Sequence, residues 1–145
     1  LSYQIKEVFI LKKLFTNTVV VHSDVTSLST ILQSPQNLLK WVPDINSVTP
    51  KDDHFLISRT KSALNKFEMI SVTSHDNSIT YTSTGGRLEY ELRFDLTDQG
   101  AVTLVEQTLL VDEDSTKLPL TFLAPIAKHA FRENLVGLER LVSIA

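Results

Sequence analysis

The side chains best suited to chemistry in this chain are few and scattered. The run Ala101–Val111, AVTLVEQTLLV, is apolar except where Glu106 and Gln107 interrupt it. Strict alternation sends one of the two inward. An inward Glu106 needs a hydrogen-bond donor or an opposing Arg, since burial disfavours its charge. In that position it would serve as a ligand anchor or an acid–base group; otherwise Glu106 or Gln107 satisfies a neighbouring hydroxyl or faces water. The four histidines, His22, His54, His75 and His129, show no metal-ligand spacing. His75, beside Asp76-Asn77, reads as a turn residue. His129 reads either as a polar contact or general base at a cavity edge, or as a surface residue of a helix. Asp112-Glu113-Asp114 lacks the spacing of a calcium loop and reads as solvated. There is no GxSxG elbow and no phosphate loop, and Gly85-Gly86 reads as a hairpin turn requiring positive φ. Cys is absent, which excludes disulfides, thiolate metal sites and cysteine nucleophiles together. No metal or other cofactor is implied.

The elements that must carry these residues follow from hydrophobic period. Thr16–His22 is a β-branched strand. Val25, Leu28, Ile31 and Leu32 then recur at helical spacing, with Asp24 or Thr26 as cap, and Ser34-Pro35 opens a second short helix, Pro35–Lys40. Strands follow at Ile45–Thr49, His54–Thr60, Lys66–Thr73, Ser78–Ser83, Arg87–Leu96 and Ala101–Val111, joined by hairpin-length turns. In Arg87–Leu96, Leu88, Tyr90, Leu92, Phe94 and Leu96 alternate with charged residues, the pattern of a strand wet on one face. From Phe122 the period becomes helical through Leu123, Ile126, Ala127, Phe131, Leu135 and Leu138, with Pro125 either in the first turn or within a longer helix. The fold class is therefore α+β: a seven-stranded curved antiparallel sheet wrapped around a long C-terminal helix, with two short helices after the first strand.

The 145 residues suit one domain, placed at 14–145, with 42% hydrophobic and 21% charged residues in the ordinary globular range. Seventeen acids against fourteen bases leave no general attraction to nucleic acid. No run reaches the roughly 18 apolar residues of a membrane span, so stable membrane insertion is not expected. The expectation is a cytoplasmic monomer or weak homodimer. Residue 1 is Leu. Lys6-Glu7-Val8 can be encoded by a purine run resembling a ribosome-binding site ahead of Leu11, so residues 1–13 read either as an over-early start or as a lead-in to the first strand.

Two segments carry a family resemblance. Ser34-Pro35-Gln36-Asn37-Leu38-Leu39-Lys40-Trp41-Val42-Pro43-Asp44-Ile45 resembles the small-helix segment, ending in Trp-x-Pro, of the START-like helix-grip superfamily (SRPBCC). The terminal helix Ala124–Ile144, ending in Leu135-x-x-Leu138-Glu139-Arg140-Leu141, is similar to that superfamily's long closing helix. Its members include polyketide cyclases/dehydrases, lipid-transfer domains and plant pollen-allergen relatives. The resemblance spans residues 14–145 and implies a cavity between sheet and helix for a hydrophobic or amphipathic small molecule. Trp41 would then sit at the cavity mouth, or simply staple the short helices to the sheet. Met69, Tyr81, Tyr90 and Phe94 are expected to face inward from the strands, and Phe122, Ile126 and Phe131 from the helix. With Trp41 and Glu106 these are the candidate ligand-binding residues; Glu106 and His129 are the catalytic candidates. The expected function is binding or transport of such a molecule. The alternatives are a cyclase/dehydrase-like enzyme using the same cavity, with Tyr81 and Tyr90 as further proton donors, and a protein-interaction domain with an apolar patch around Leu118–Leu123.

Overall fold

The computed structural model describes residues 11–143, so expectations for Leu1–Ile10 and for Ile144 lie outside it. Strand β1 (Lys12–Val21) is followed by helix α1 (Val25–Gln33), a 3₁₀ turn at Pro35–Asn37 and the one-turn helix α2 (Leu38–Trp41). Six strands then run in sequence: β2 (Ile45–Lys51), β3 (His54–Arg59), β4 (Phe67–His75), β5 (Ser78–Thr84), β6 (Tyr90–Asp98) and β7 (Thr103–Val111). Helix α3 (Leu120–Ser143) closes the chain. The strands form one antiparallel sheet in the order β1-β7-β6-β5-β4-β3-β2. The α1–α2 segment therefore carries the chain from one sheet edge to the other.

Local chemistry explains the joints. Asp24 caps α1, accepting from the Ser27 amide at 2.8 Å and the Ser27 hydroxyl at 2.9 Å, and those bonds hold its carboxyl below the usual value. Pro35 starts the 3₁₀ turn, where a missing N–H costs nothing. Asp52 and Asp76 take positive φ in the tight β2–β3 and β4–β5 turns. A Cβ on Gly137 would lie 3.0 Å from the Trp41 carbonyl oxygen, so this glycine lets α2 seat directly on α3.

The strand β6 begins three residues after the expected Arg87 because the backbone N–H and C=O of Leu88 are both taken by the Asn65 side chain instead of a neighbouring strand. Helix α3 begins at Leu120, so Pro125 lies inside it. Inward residues Val105, Leu109, Leu92, Phe94, Ile79, Tyr81, Ile57 and Ile70 make the core with Leu28, Leu32 and, from α3, Leu135, Leu138 and Val142. The buried residues of α3 all belong to its C-terminal half. Its N-terminal half meets the sheet only along β1, through Lys128 and Phe131, and stands off the other strands, leaving Phe122 77% and Ile126 62% exposed. No helix among the described residues is long and apolar enough to cross a membrane.

Candidate functional site

The gap under the N-terminal half of α3 is a cavity of about 650 Å³, open to solvent. Its apolar side is Leu88, Leu109, Leu123, Ile126, Ala127 and Phe131; its polar side is the β3–β4 loop together with Asp44, Arg59, Glu68 and Tyr90. A groove of about 540 Å³ at the other end of the molecule, bounded by His22, Asp24, Lys40 and Leu141, holds no buried polar group.

The polar wall is built on inward positions of four successive strands. Glu68 of β4 is fully buried, and both of its oxygens accept hydrogen bonds. Arg59 of β3 donates to Oε1 through Nε at 2.9 Å and Nη2 at 2.6 Å. Oε2 accepts from Asn65 Nδ2 at 2.9 Å, from Ser83 of β5 at 2.7 Å and from the Tyr90 hydroxyl of β6 at 3.0 Å. The remaining face of Arg59 donates from Nη1 to Asp44 Oδ1 at 3.0 Å. The guanidinium is thus forked between two carboxylates, the geometry at which Arg excels.

Burial opposes the charge on Arg59, but its neighbours Tyr90, Glu68 and Asp44 outweigh that effect and raise its pKa above the ordinary value. Burial raises Tyr81 above its usual 10.0. Tyr90 is also raised above 10.0, first by burial and then by Glu68, with Arg59 acting in the opposite direction. In this range the native state keeps protons that an unfolded chain has released. Stability tied to these phenols is therefore complete below pH 10.0 and lost as pH rises beyond it. Thermal melts from pH 9 to 11 should show this fall, and the double variant Tyr81→Phe/Tyr90→Phe, less stable at neutral pH, should show a shallower one. Parallel slopes for the two proteins would rule the phenols out as its source.

The structure sorts the sequence candidates into four groups. Tyr90, Ile126 and Phe131 line the outer cavity. Trp41 and Tyr81 are buried deeper, each edge-on to Phe94, and the Tyr81 hydroxyl donates to the Leu32 carbonyl. Phe94 itself is core, with no exposed surface. Four expectations are corrected. Met69 lies on the outer sheet face, because Glu68 and Ile70 take the inward positions. Glu106 is exposed on the outer face between Thr18 and Asp95, and Gln107 is the buried member of that pair. Phe122 points to solvent rather than into the cavity, and His129 is exposed on the side of α3 that faces away from β1, which meets that turn at the Lys128 carbonyl.

Arg59, Glu68, Asn65 and Asp44 are functional candidates that the sequence reading passes over. A charged residue interrupting the alternation of each of two successive strands is the available signal. Among the described residues, no group of three or more His, Cys, Asp or Glu is placed to hold a metal ion.

No protein-family model matches the chain, and no curated protein does. Solved structures are similar. A START superfamily protein from Mycobacterium smegmatis superposes with a TM-score of 0.74 at 18% identity, over 90% of this chain and 98% of its own. A polyketide-cyclase-like protein from Corynebacterium glutamicum gives 0.58 at 12% identity, over 92% and 93%. Norcoclaurine synthase from Thalictrum flavum gives 0.60 at 14% identity, over 90% and 88%. The fold is the START-like helix-grip fold, a curved seven-stranded sheet around a C-terminal helix. At such identities the similarity speaks for fold alone.

Proposed function

We propose that this protein binds a hydrophobic or amphipathic small molecule in the cavity beneath the N-terminal half of α3. One observation carries the reading: the sheet and α3 separate into an open, mainly apolar cavity of about 650 Å³ instead of closing into core. That volume falls in the range of small-molecule sites, and apolar walls with a few fixed polar groups are their usual composition. Leu123, Ile126, Ala127 and Phe131 offer the apolar body its surface; Arg59, Glu68 and Tyr90 give its polar group a pre-organised wall.

Ala130 lines the cavity from an exposed position, so a large side chain there fills space without breaking the core. With the amphipathic anionic dye 8-anilinonaphthalene-1-sulfonate as probe, Ala130→Trp is expected to weaken binding at least about tenfold, the effect of losing a pocket contact of about 1.4 kcal/mol or more. Its melting temperature should stay close to that of wild type. Equal dye affinity in the two proteins would overturn the reading.

A second reading is an enzyme of the cyclase/dehydrase type. It is favoured by the Tyr90 phenol and Glu68 carboxylate meeting at 3.0 Å on the cavity wall. The norcoclaurine synthase, whose fold is similar, has been solved in complex with dopamine and hydroxybenzaldehyde. Against it, Glu68 is already engaged by Arg59, Asn65, Ser83 and Tyr90, which suits a structural anchor better than a free base. Native mass spectrometry of protein from its own host separates the two readings. A carrier returns a co-purified molecule unchanged after incubation; a dehydrase returns it lighter by one water.

A further inference from the structure

Behind the outer cavity lies a smaller one of about 20 Å³, and the two share Arg59, Tyr90 and Phe131. Gln107 lines the inner one; it is fully buried, and its Nε2 has no hydrogen-bond partner. The orientation of that amide is dictated by its neighbours. Asn17 Nδ2 donates to the Lys128 carbonyl of α3 at 3.0 Å, and a carbonyl can only accept, so the nitrogen of Asn17 must face the helix. The same nitrogen donates to Gln107 Oε1 at 3.3 Å. Turning the Gln107 amide over would set one donor against another. Nε2 is thus left over by the network, as is Asn17 Oδ1, which the Asn17 nitrogen's two bonds turn away from it; a buried donor without an acceptor is destabilising.

We propose that Gln107 is a deep subsite for a neutral hydrogen-bond acceptor on the ligand. The apolar body would occupy the outer cavity, and a carbonyl oxygen at its leading end would pass Tyr90 and Phe131 to accept from Gln107 Nε2. This deepens the cavity-binding reading and rests on it. A neutral oxygen fits better than a carboxylate because Arg59, the cation on the inner wall, is already shared by Glu68 and Asp44. The inner wall's two phenols do not compete, since Tyr90 donates to Glu68 and Tyr81 to the Leu32 carbonyl. A cavity of about 20 Å³ admits little more than the oxygen itself.

The test uses 2-acetylnaphthalene and 2-isopropenylnaphthalene, which share a trigonal side-chain carbon and differ by a carbonyl oxygen in place of a methylene. Both are titrated against wild type and Gln107→Leu by tryptophan fluorescence, with Gln107→Met as substitute should the leucine variant not fold. The ratio of ketone to hydrocarbon affinity is expected to fall about tenfold in the variant, with hydrocarbon binding retained. An unchanged ratio with both probes bound overturns the subsite and leaves the cavity reading standing. Failure of wild type to bind either probe overturns the cavity reading and the subsite with it.

Discussion

Glu68→Ala is expected to destabilise the fold by about 3–5 kcal/mol, because it strands a buried cation rather than simply deleting a side chain. The Arg59 side chain is only 13% exposed and would be left with Asp44, itself 43% exposed, as its carboxylate partner. Asn65, Ser83 and Tyr90 would lose an acceptor at the same time. In a chain of this size that loss lowers the melting temperature by on the order of 10 °C. The matching control replaces the pair together. Glu68→Leu/Arg59→Met removes both charges and keeps the volume, so it should recover the part of the loss due to the stranded cation and leave the part due to the unpaired Asn65, Ser83 and Tyr90 donors. Thermal and urea unfolding followed by circular dichroism measure both. Should Glu68→Ala fall within about 0.5 kcal/mol of wild type, as an exposed site such as Glu106→Ala should, the polar wall would not be what ties β3, β4 and β6 together.

The same ion pair explains what the sequence hides. In β6 the alternation reads directly: Tyr90, Leu92, Phe94 and Leu96 are buried and the charged residues between them are not, since each inward position is apolar. Element order is legible for the same reason, because a change of period from two to near four needs no knowledge of neighbours. In β4 the rule misleads. Phe67 and Met69 are the larger apolar residues and suggest the inward phase, yet Phe67 is 65% exposed and Glu68 is buried. An inward Glu is tolerable only where an adjacent strand brings Arg59 to it, a fact of register rather than of either segment alone. In β7 the ambiguity between Glu106 and Gln107 is settled by pairing too, since Gln107 lies opposite Asn17 and Phe94 on the inner face. In α3 the apolar spacing continues through Phe122 and Ile126, but burial stops where the sheet ceases to curl beneath it. Periodicity marks a face suited to burial; whether another element covers that face is decided elsewhere in the chain. The uncovered stretch is where the cavity opens.

Gly86→Ala is expected to be more damaging than Gly85→Ala, although Gly85 is the residue with positive φ. Gly85 has φ 82° and open space around its Cα, so an alanine there meets backbone strain alone, about 1–2 kcal/mol. Gly86 needs no unusual φ. A Cβ on it would fall 2.5 Å from Asn65 Cγ and 2.6 Å from Asn65 Nδ2. That amide cannot retreat without releasing Glu68 and both backbone groups of Leu88, all of them buried. Two or three buried hydrogen bonds left unmade are worth about 3 kcal/mol or more. The cycle with Asn65→Ala isolates the cause: once the amide is gone the new methyl has nothing to displace, so Asn65→Ala/Gly86→Ala should be no less stable than Asn65→Ala alone. Additive losses, or Gly85→Ala proving the worse of the two, would mean that close approach to Asn65 is not why residue 86 is glycine. Because Asn65 also ties the β3–β4 loop to the polar wall, Gly86→Ala should weaken dye binding in the outer cavity as well, an effect that Gly85→Ala should not share.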